Sequence, residues 1–235
     1  VAKEFFDKTI KSKNLESRSD HVYVNNDIRS NYIFNSKING IEESDLIILV
    51  GTNPRYEATI LNARIRKSFL KNKTEIYSVG DVGDLTYPYK VLSNSTKIIK
   101  EICENNHEVS NKIVNANKPM VIIGQSALKL KSGMYIFENI KNFLISKNKI
   151  NDEWNSLNII SENASTVGGY DLDLISSNNG KNTTLEAIHK NNFEVIFFLG
   201  QDNINFNKKN EFIVYIGSHG DRGAEFADLI LPGAA

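Results

Sequence analysis

Four times along this chain a short, almost wholly apolar run stops at a glycine and gives way to polar residues. The runs are Leu46–Val50 before Gly51, Val121–Ile123 before Gly124, Val195–Leu199 before Gly200, and Phe212–Ile216 before Gly217. Runs of this length, without alternation, are expected of strands whose two faces are both covered by helices. Glycine at the exit allows a sharp turn or the close approach of another group to the backbone. In open sheets of this kind ligands gather at the carboxyl ends of the strands. The pattern therefore predicts an α/β fold: mostly parallel, doubly wound sheet or sheets with helices on both faces.

The segments between the runs support this. Residues 1–44 are polar with broken apolar spacing and are expected to form a helical or irregular approach, leaving 45–235 as the α/β domain. After the first run, Leu61, Ile65 and Phe69 fall at helical spacing, and Glu75–Val79 reads as the next strand, which completes a βαβ unit. Asp81–Pro88 is expected to be a loop. A helix follows, capped by Ser95 or Thr96 and burying Ile98, Ile99, Ile102 and Cys103. A shorter helix around Val109 and Ile113 ends before Pro119. Met120–Ile123 is the third strand, Ile136, Ile140, Phe143 and Leu144 mark the helix after it, and Leu157–Ile160 reads as a fourth strand. Residues 161–182, rich in Ser, Asn and Gly, are expected to be a long surface loop. A short helix over Thr184–His189 feeds strands at Glu194–Leu199 and Phe212–Ile216, and Ala227–Leu231 is the last strand.

Composition narrows the function. Lys+Arg and Asp+Glu both total 28 in 235 residues, so no excess of positive charge is available to neutralise phosphates, which argues against nucleic acid as a partner. No apolar stretch approaches the roughly 20 residues that cross a bilayer, so no direct membrane span is expected. A single cysteine, Cys103, excludes a disulfide framework, an iron–sulfur cluster or a thiolate zinc site held by this chain alone. The first residues are Val-Ala-Lys and the last follow directly on an apolar run, so the chain reads as a piece of something longer.

Candidate chemistry is sparse. Gly51-Thr52-Asn53-Pro54-Arg55 sits where a phosphate or ribose would sit, with backbone N–H groups facing the strand edge, but it is neither GxGxxG nor a P-loop. Its plain reading is a strand-to-helix turn set by Asn and Pro. His219, Asp221 and Glu225 form the densest titratable cluster, yet no second histidine lies nearby and two glycines indicate a turn. Asp171 and Asp173 are two carboxylates without further ligands. Tyr87-Pro88-Tyr89 reads as packing, and Cys103 as an inert core thiol. No nucleophile with its base and orienting group is visible, and no metal site.

The residues themselves carry a resemblance. Ser44 to Ala58, with its Leu-Ile-Ile-Leu-Val-Gly-Thr-Asn-Pro-Arg core, followed by Asn62-Ala63-Arg64-Ile65-Arg66-Lys67-Ser68, resembles the large iron–sulfur subunit of mitochondrial respiratory complex I, in its C-terminal, molybdopterin-oxidoreductase-like domain. Asp27 to Tyr32, Asp84 to Tyr87, Lys118 to Gly124, His219 to Asp221 and Ala227 to Ala235 agree in the same order. The resemblance implies a structural segment of the complex's hydrophilic arm, peripheral on the matrix side of the mitochondrial inner membrane. It implies as partners the other arm subunits and the cluster-bearing N-terminal portion of the same subunit, a portion absent here. It implies no cofactor in this chain, Gly51, Thr52, Asn53, Arg55 and Asp228 being at most a vestigial cradle. The alternative is a lobe of a molybdopterin-dinucleotide oxidoreductase that still binds its cofactor, with Thr52, Asn53 and Arg55 on its phosphate or guanosine.

Overall fold

The computed structural model describes residues 1–178, 180–205 and 207–234; Ala235, at the end of the last block compared above, lies outside the described residues. The chain packs as two compact units, a larger one of residues 22–168 and a smaller one of residues 1–21 and 169–235.

The larger unit is built on a parallel five-stranded sheet. Its strands are β1 (Leu46–Val50), β2 (Glu75–Val79), β3 (Lys90–Ser93), β4 (Pro119–Gly124) and β5 (Leu157–Ile160), ordered β3-β2-β1-β4-β5. All five residues of β1 are buried. Period-two alternation sends Ile47 and Leu49 to one face, where they pack with Leu61 and Ile65 of the Thr59–Asn72 helix and with Met120 and Ile122. Leu46, Ile48 and Val50 point to the other. The helices Lys97–Cys103, Glu108–Asn115 and Gly133–Ser146 bury Ile98, Ile99, Ile102, Val109, Ile113, Ile136, Ile140 and Leu144. The sheet is thus doubly wound, as the apolar runs predicted. Its winding reverses between β1 and β4, which are direct neighbours in register, Leu46 opposite Pro119 and Val50 opposite Ile123.

Sequence reading passed over β3. This edge strand is short, its first two residues are exposed, and its register slips where it meets β2 at Ser78/Val79. It carries little of the apolar signature of a covered strand. Residues 22–44, expected as an approach, pack in the larger unit: Phe34 bridges to Asn158 on β5, and Ile41 joins the core beneath the Thr59–Asn72 helix.

The smaller unit holds a parallel three-stranded sheet, β8 (Val195–Leu199), β9 (Phe212–Gly217) and β10 (Leu229–Pro232), ordered β10-β9-β8. Ile196, Phe198, Ile213 and Tyr215 pack with Leu185 and Ile188 of the Thr183–His189 helix. The expected long loop over 161–182 is only partly a loop. It contains the Thr166–Asp171 helix, with Tyr170 buried, and an antiparallel pair, β6 (Ser177–Asn178) with β7 (Lys181–Asn182). Polar residues are held inside here because Asn182, fully buried, accepts from the Leu185 amide at 2.8 Å and donates to the carbonyls of Arg18 and Asp20. A buried amide side chain satisfied on all sides looks like loop composition in the sequence.

Candidate functional site

The place a ligand would occupy in a doubly wound sheet is the crevice at the carboxyl ends of the strands, where the winding reverses. Here that point lies between Gly51, leaving β1, and Gly124, ending β4. Gly51 adopts φ +54°, and a Cβ on it would stand 2.6 Å from the Ala127 Cβ and 2.8 Å from the Ala127 nitrogen. A Cβ on Gly124 would stand 2.3 Å from the Gly51 carbonyl oxygen and 2.5 Å from the Thr52 Cβ. The two glycines therefore serve the close approach of one loop to the other. The Ser126 hydroxyl donates to the Gly51 carbonyl, tightening the same contact. In a dinucleotide site the glycines leave that approach to a phosphate; here the chain itself takes it.

The polar groups around the turn are engaged with one another. Asn53 caps the short Pro54–Glu57 helix, accepting from the Arg55 amide at 3.1 Å, and Pro54 stands at its first position, where a missing N–H costs nothing. Glu57 reaches back to accept from the Thr52 hydroxyl at 2.7 Å and the Asn53 amide at 2.8 Å. The Asn53 side chain donates to the Val82 carbonyl at 2.7 Å, and Arg55 donates to the Asp84 carbonyl and carboxylate at 2.8 and 2.7 Å. Gly51, Thr52, Asn53 and Arg55 are thus brought together, with Thr52 bonded to Glu57 and with Asn53 and Arg55 bonded to the loop after β2. A pterin dinucleotide at this strand edge would have to compete with these bonds and with the close approach of Gly51 to Ala127. Asp228 belongs to the smaller unit. There it accepts from the Ile213 amide at 2.8 Å and pairs with Lys208 at 2.6 Å, the Lys208 bond chiefly holding its carboxyl below the usual range.

The loop after β2 is itself organised by carboxylates. Asp81 accepts from the Gly83 amide and the Tyr89 hydroxyl, and Asp84 from the Thr86 amide and Arg55, which lowers both acids from their ordinary values, the backbone bonds first. A group whose folded value is depressed stabilises the fold above its unfolded value, and that contribution is lost as pH falls through the folded one. Acidification from about pH 5 to below about 3 is therefore expected to loosen residues 81–89 before the sheet. Amide exchange at Gly83 and Thr86 would report it; protection that persists to complete unfolding would contradict it.

The remaining candidates make local contacts. Tyr87 is buried and donates to the Asn62 side chain at 2.7 Å. Lys3 pairs with Asp173 at 3.0 Å. The His219 ring shares a hydrogen bond with the neighbouring Ser218 hydroxyl at 2.9 Å, and Asp221 precedes the short Arg222–Glu225 helix. Among the described residues no group of three or more His, Cys, Asp or Glu is placed to hold a metal. Burial pushes the Cys103 thiol up to about 11. Cys103 is half-buried rather than part of the core as expected; alkylation at pH 8 should still run roughly a hundredfold slower than for a free thiol, since the thiolate is the nucleophile, and labelling at a free-thiol rate would refute the raised thiol.

Sequence reading missed an apolar cavity of about 420 Å³ in the smaller unit, between the N-terminal segment and β8, lined by Phe6, Ile10, Leu15, Leu185 and Phe197 among others. Its polar wall is the buried pair Glu16–Arg18, closed on itself at 2.7 Å. The apolar residues at 5, 6 and 10 were the available signal, obscured by the polar residues between them.

Sheet order, the glycine turn at the winding reversal and helices on both faces define a cofactor-lobe architecture, and a family comparison gives it a family. The molybdopterin oxidoreductase model matches residues 1–235, and the chain belongs to that family. Among curated relatives, it is 40% identical over 223 residues to the NADH-ubiquinone oxidoreductase 75 kDa subunit of Reclinomonas americana, covering 94% of this chain and 32% of the relative. It is 43% identical over 213 residues to the mitochondrial 78 kDa subunit of Candida albicans, covering 89% and 28%. It is 32% identical over 226 residues to the mitochondrial NADH dehydrogenase [ubiquinone] iron-sulfur protein 1 of Solanum tuberosum, covering 95% and 30%. The chain spans about a third of the length of these relatives. No helix among the described residues is long and apolar enough to cross a membrane.

Proposed function

We propose that this chain is a structural segment of the hydrophilic arm of an NADH–ubiquinone oxidoreductase. It supports electron transfer from NADH to ubiquinone and holds no redox centre of its own. The observation that carries the reading is the winding-reversal point, where Gly51 and Gly124 are used for packing one loop on the other and Thr52, Asn53 and Arg55 bond within the chain. The relatives named as NADH-ubiquinone oxidoreductase subunits support that reading. Its neighbours are then the other arm subunits and the cluster-bearing portion of the same subunit, on the matrix side of the mitochondrial inner membrane.

The test is isolation of the native assembly containing this chain from gently solubilised respiratory membranes, with mass spectrometry of its companions and metal analysis. The flavin- and quinone-site subunits are expected, with no molybdenum or tungsten at stoichiometric level. Recovery with a stoichiometric pterin metal would instead favour the cofactor-binding lobe, with Thr52, Asn53 and Arg55 at the pterin dinucleotide.

A further inference from the structure

The Thr59–Asn72 helix carries a second apolar stripe on the side away from the core. Leu61, Ile65 and Ser68 are buried, whereas Ile60, Ala63, Lys67 and Leu70 are exposed, Ile60 at 70% and Leu70 at 58%. Ile60, Ala63 and Leu70 occupy three of the four positions of a seam spaced three, four and three, Lys67 taking the fourth. Tyr56, in the preceding helical turn, is 79% exposed. Scattered surface apolar residues are ordinary, but here three of them share one face of a single helix.

The charges around it are one-sided. Although the whole chain is neutral, this helix has Arg64, Arg66, Lys67 and Lys71 and no acidic residue. Arg64 and Lys67 are both held by Glu42, at 2.6 and 2.7 Å. Arg66 and Lys71 are exposed and make no ion pair among the described residues. At about 100° per residue they fall on opposite flanks of the stripe. Ala63 leaves a notch between the larger Ile60 and Leu70, into which the ridge of a second helix fits at close range.

We infer that this face docks an amphipathic helix of a partner subunit, whose apolar seam meets Ile60, Ala63 and Leu70 and whose flanking acidic residues meet Arg66 and Lys71. The notch favours a helix over a lipid surface, which is better served by bulky side chains throughout. The inference rests on the proposed function only in expecting a multi-subunit assembly.

The test places photo-crosslinking benzoylphenylalanine at Ile60, and separately at Leu70, in the full-length subunit within its native assembly, and maps the crosslinked peptides. The expected product is one peptide from another subunit with seam-spaced apolar residues flanked by Asp or Glu. The double variant Arg66→Glu/Lys71→Glu should lower the crosslink yield by about tenfold through like-charge contact. Crosslinks to lipid, to peptides without that pattern, or none at all overturn the inference, as does a yield indifferent to charge reversal. Where the charge-reversed subunit fails to assemble, the wild-type-charge crosslinks still decide. An assembly lacking the companions of an NADH–ubiquinone oxidoreductase would sink the proposed function, while the mapped peptide would still judge the docking face.

Discussion

Gly51→Ala is expected to destabilise the larger unit by about 2–5 kcal/mol, the sum of a left-handed backbone penalty and overpacking against Ala127. Two other glycines separate these terms. Gly83 also has positive φ, at +71°, but nothing lies within 4 Å of a Cβ there, so Gly83→Ala should cost only the conformational part, about 1–2 kcal/mol. Gly124 has an ordinary φ of −88°, but a Cβ there would run into the Gly51 carbonyl oxygen, so Gly124→Ala should cost the steric part, about 1–3 kcal/mol or somewhat more, because a backbone atom must give way. Since Gly51 and Gly124 share one contact, the double variant should not be additive. The single tryptophan, Trp154, belongs to the larger unit and donates its indole N–H to the Pro119 carbonyl at 2.7 Å, so its fluorescence through a urea titration reads this unit alone. Equal losses for Gly51→Ala and Gly83→Ala would mean the loop contact is dispensable. The strand edge would then be free to open for a ligand.

The second large effect lies in the smaller unit. Arg18 and Glu16 have side chains only 2% and 5% exposed, and Glu16 accepts from the Arg18 guanidinium through both carboxylate oxygens, at 2.9 and 2.7 Å, and from the Ser176 amide at 3.2 Å. Arg18 also donates to the Gly180 carbonyl at 3.0 Å. Removing one partner of a buried pair leaves an uncompensated charge, so Arg18→Met should destabilise this unit by about 3–5 kcal/mol. Adding Glu16→Gln removes that charge and keeps an acceptor for one of the two backbone amides, of Arg18 and Ser176, and should recover about half of the loss. Amide exchange along β8 and β9 is the readout. A double variant less stable than Arg18→Met alone would show that the carboxylate works independently of the guanidinium.

The fold was legible where burial is continuous. β1 and β4 lie inside a doubly covered sheet, and each presents an uninterrupted apolar run that few other structures produce. β3 was missed because an edge strand needs no such run, and the β6–β7 pair because its residues have turn composition. At the candidate site, the Asn53 cap and the Pro54 helix start could be read locally. The closure of Gly51 on Ala127 could not, because it joins loops that follow two different strands. The same holds for Glu16–Arg18, whose environment comes from residues some 160 positions away. The outward stripe on the Thr59–Asn72 helix was present in the sequence throughout. Leu61, Ile65 and Phe69 explain the helix so completely that the spacing of Ile60, Ala63, Lys67 and Leu70 attracts no notice until exposure is known.

The discontinuity of the smaller unit sets an order of events on the ribosome. β1 finds one neighbour quickly, since Leu46 pairs with Glu75, and the larger unit can close once β4 and β5 have emerged. Residues 1–21 have no such option, because Arg18 meets Gly180 across 162 positions of chain. At roughly 5–20 residues per second, synthesis leaves this segment waiting on the order of ten seconds or more. Throughout that interval Phe5, Phe6 and Ile10 are without the β8 surface that Phe6 later meets at Phe197, 5.2 Å between ring centroids. Residues 1–21 are thus made before the larger unit and complete their fold after it, and Phe5 and Phe6 are where a chaperone would be expected to hold the nascent protein.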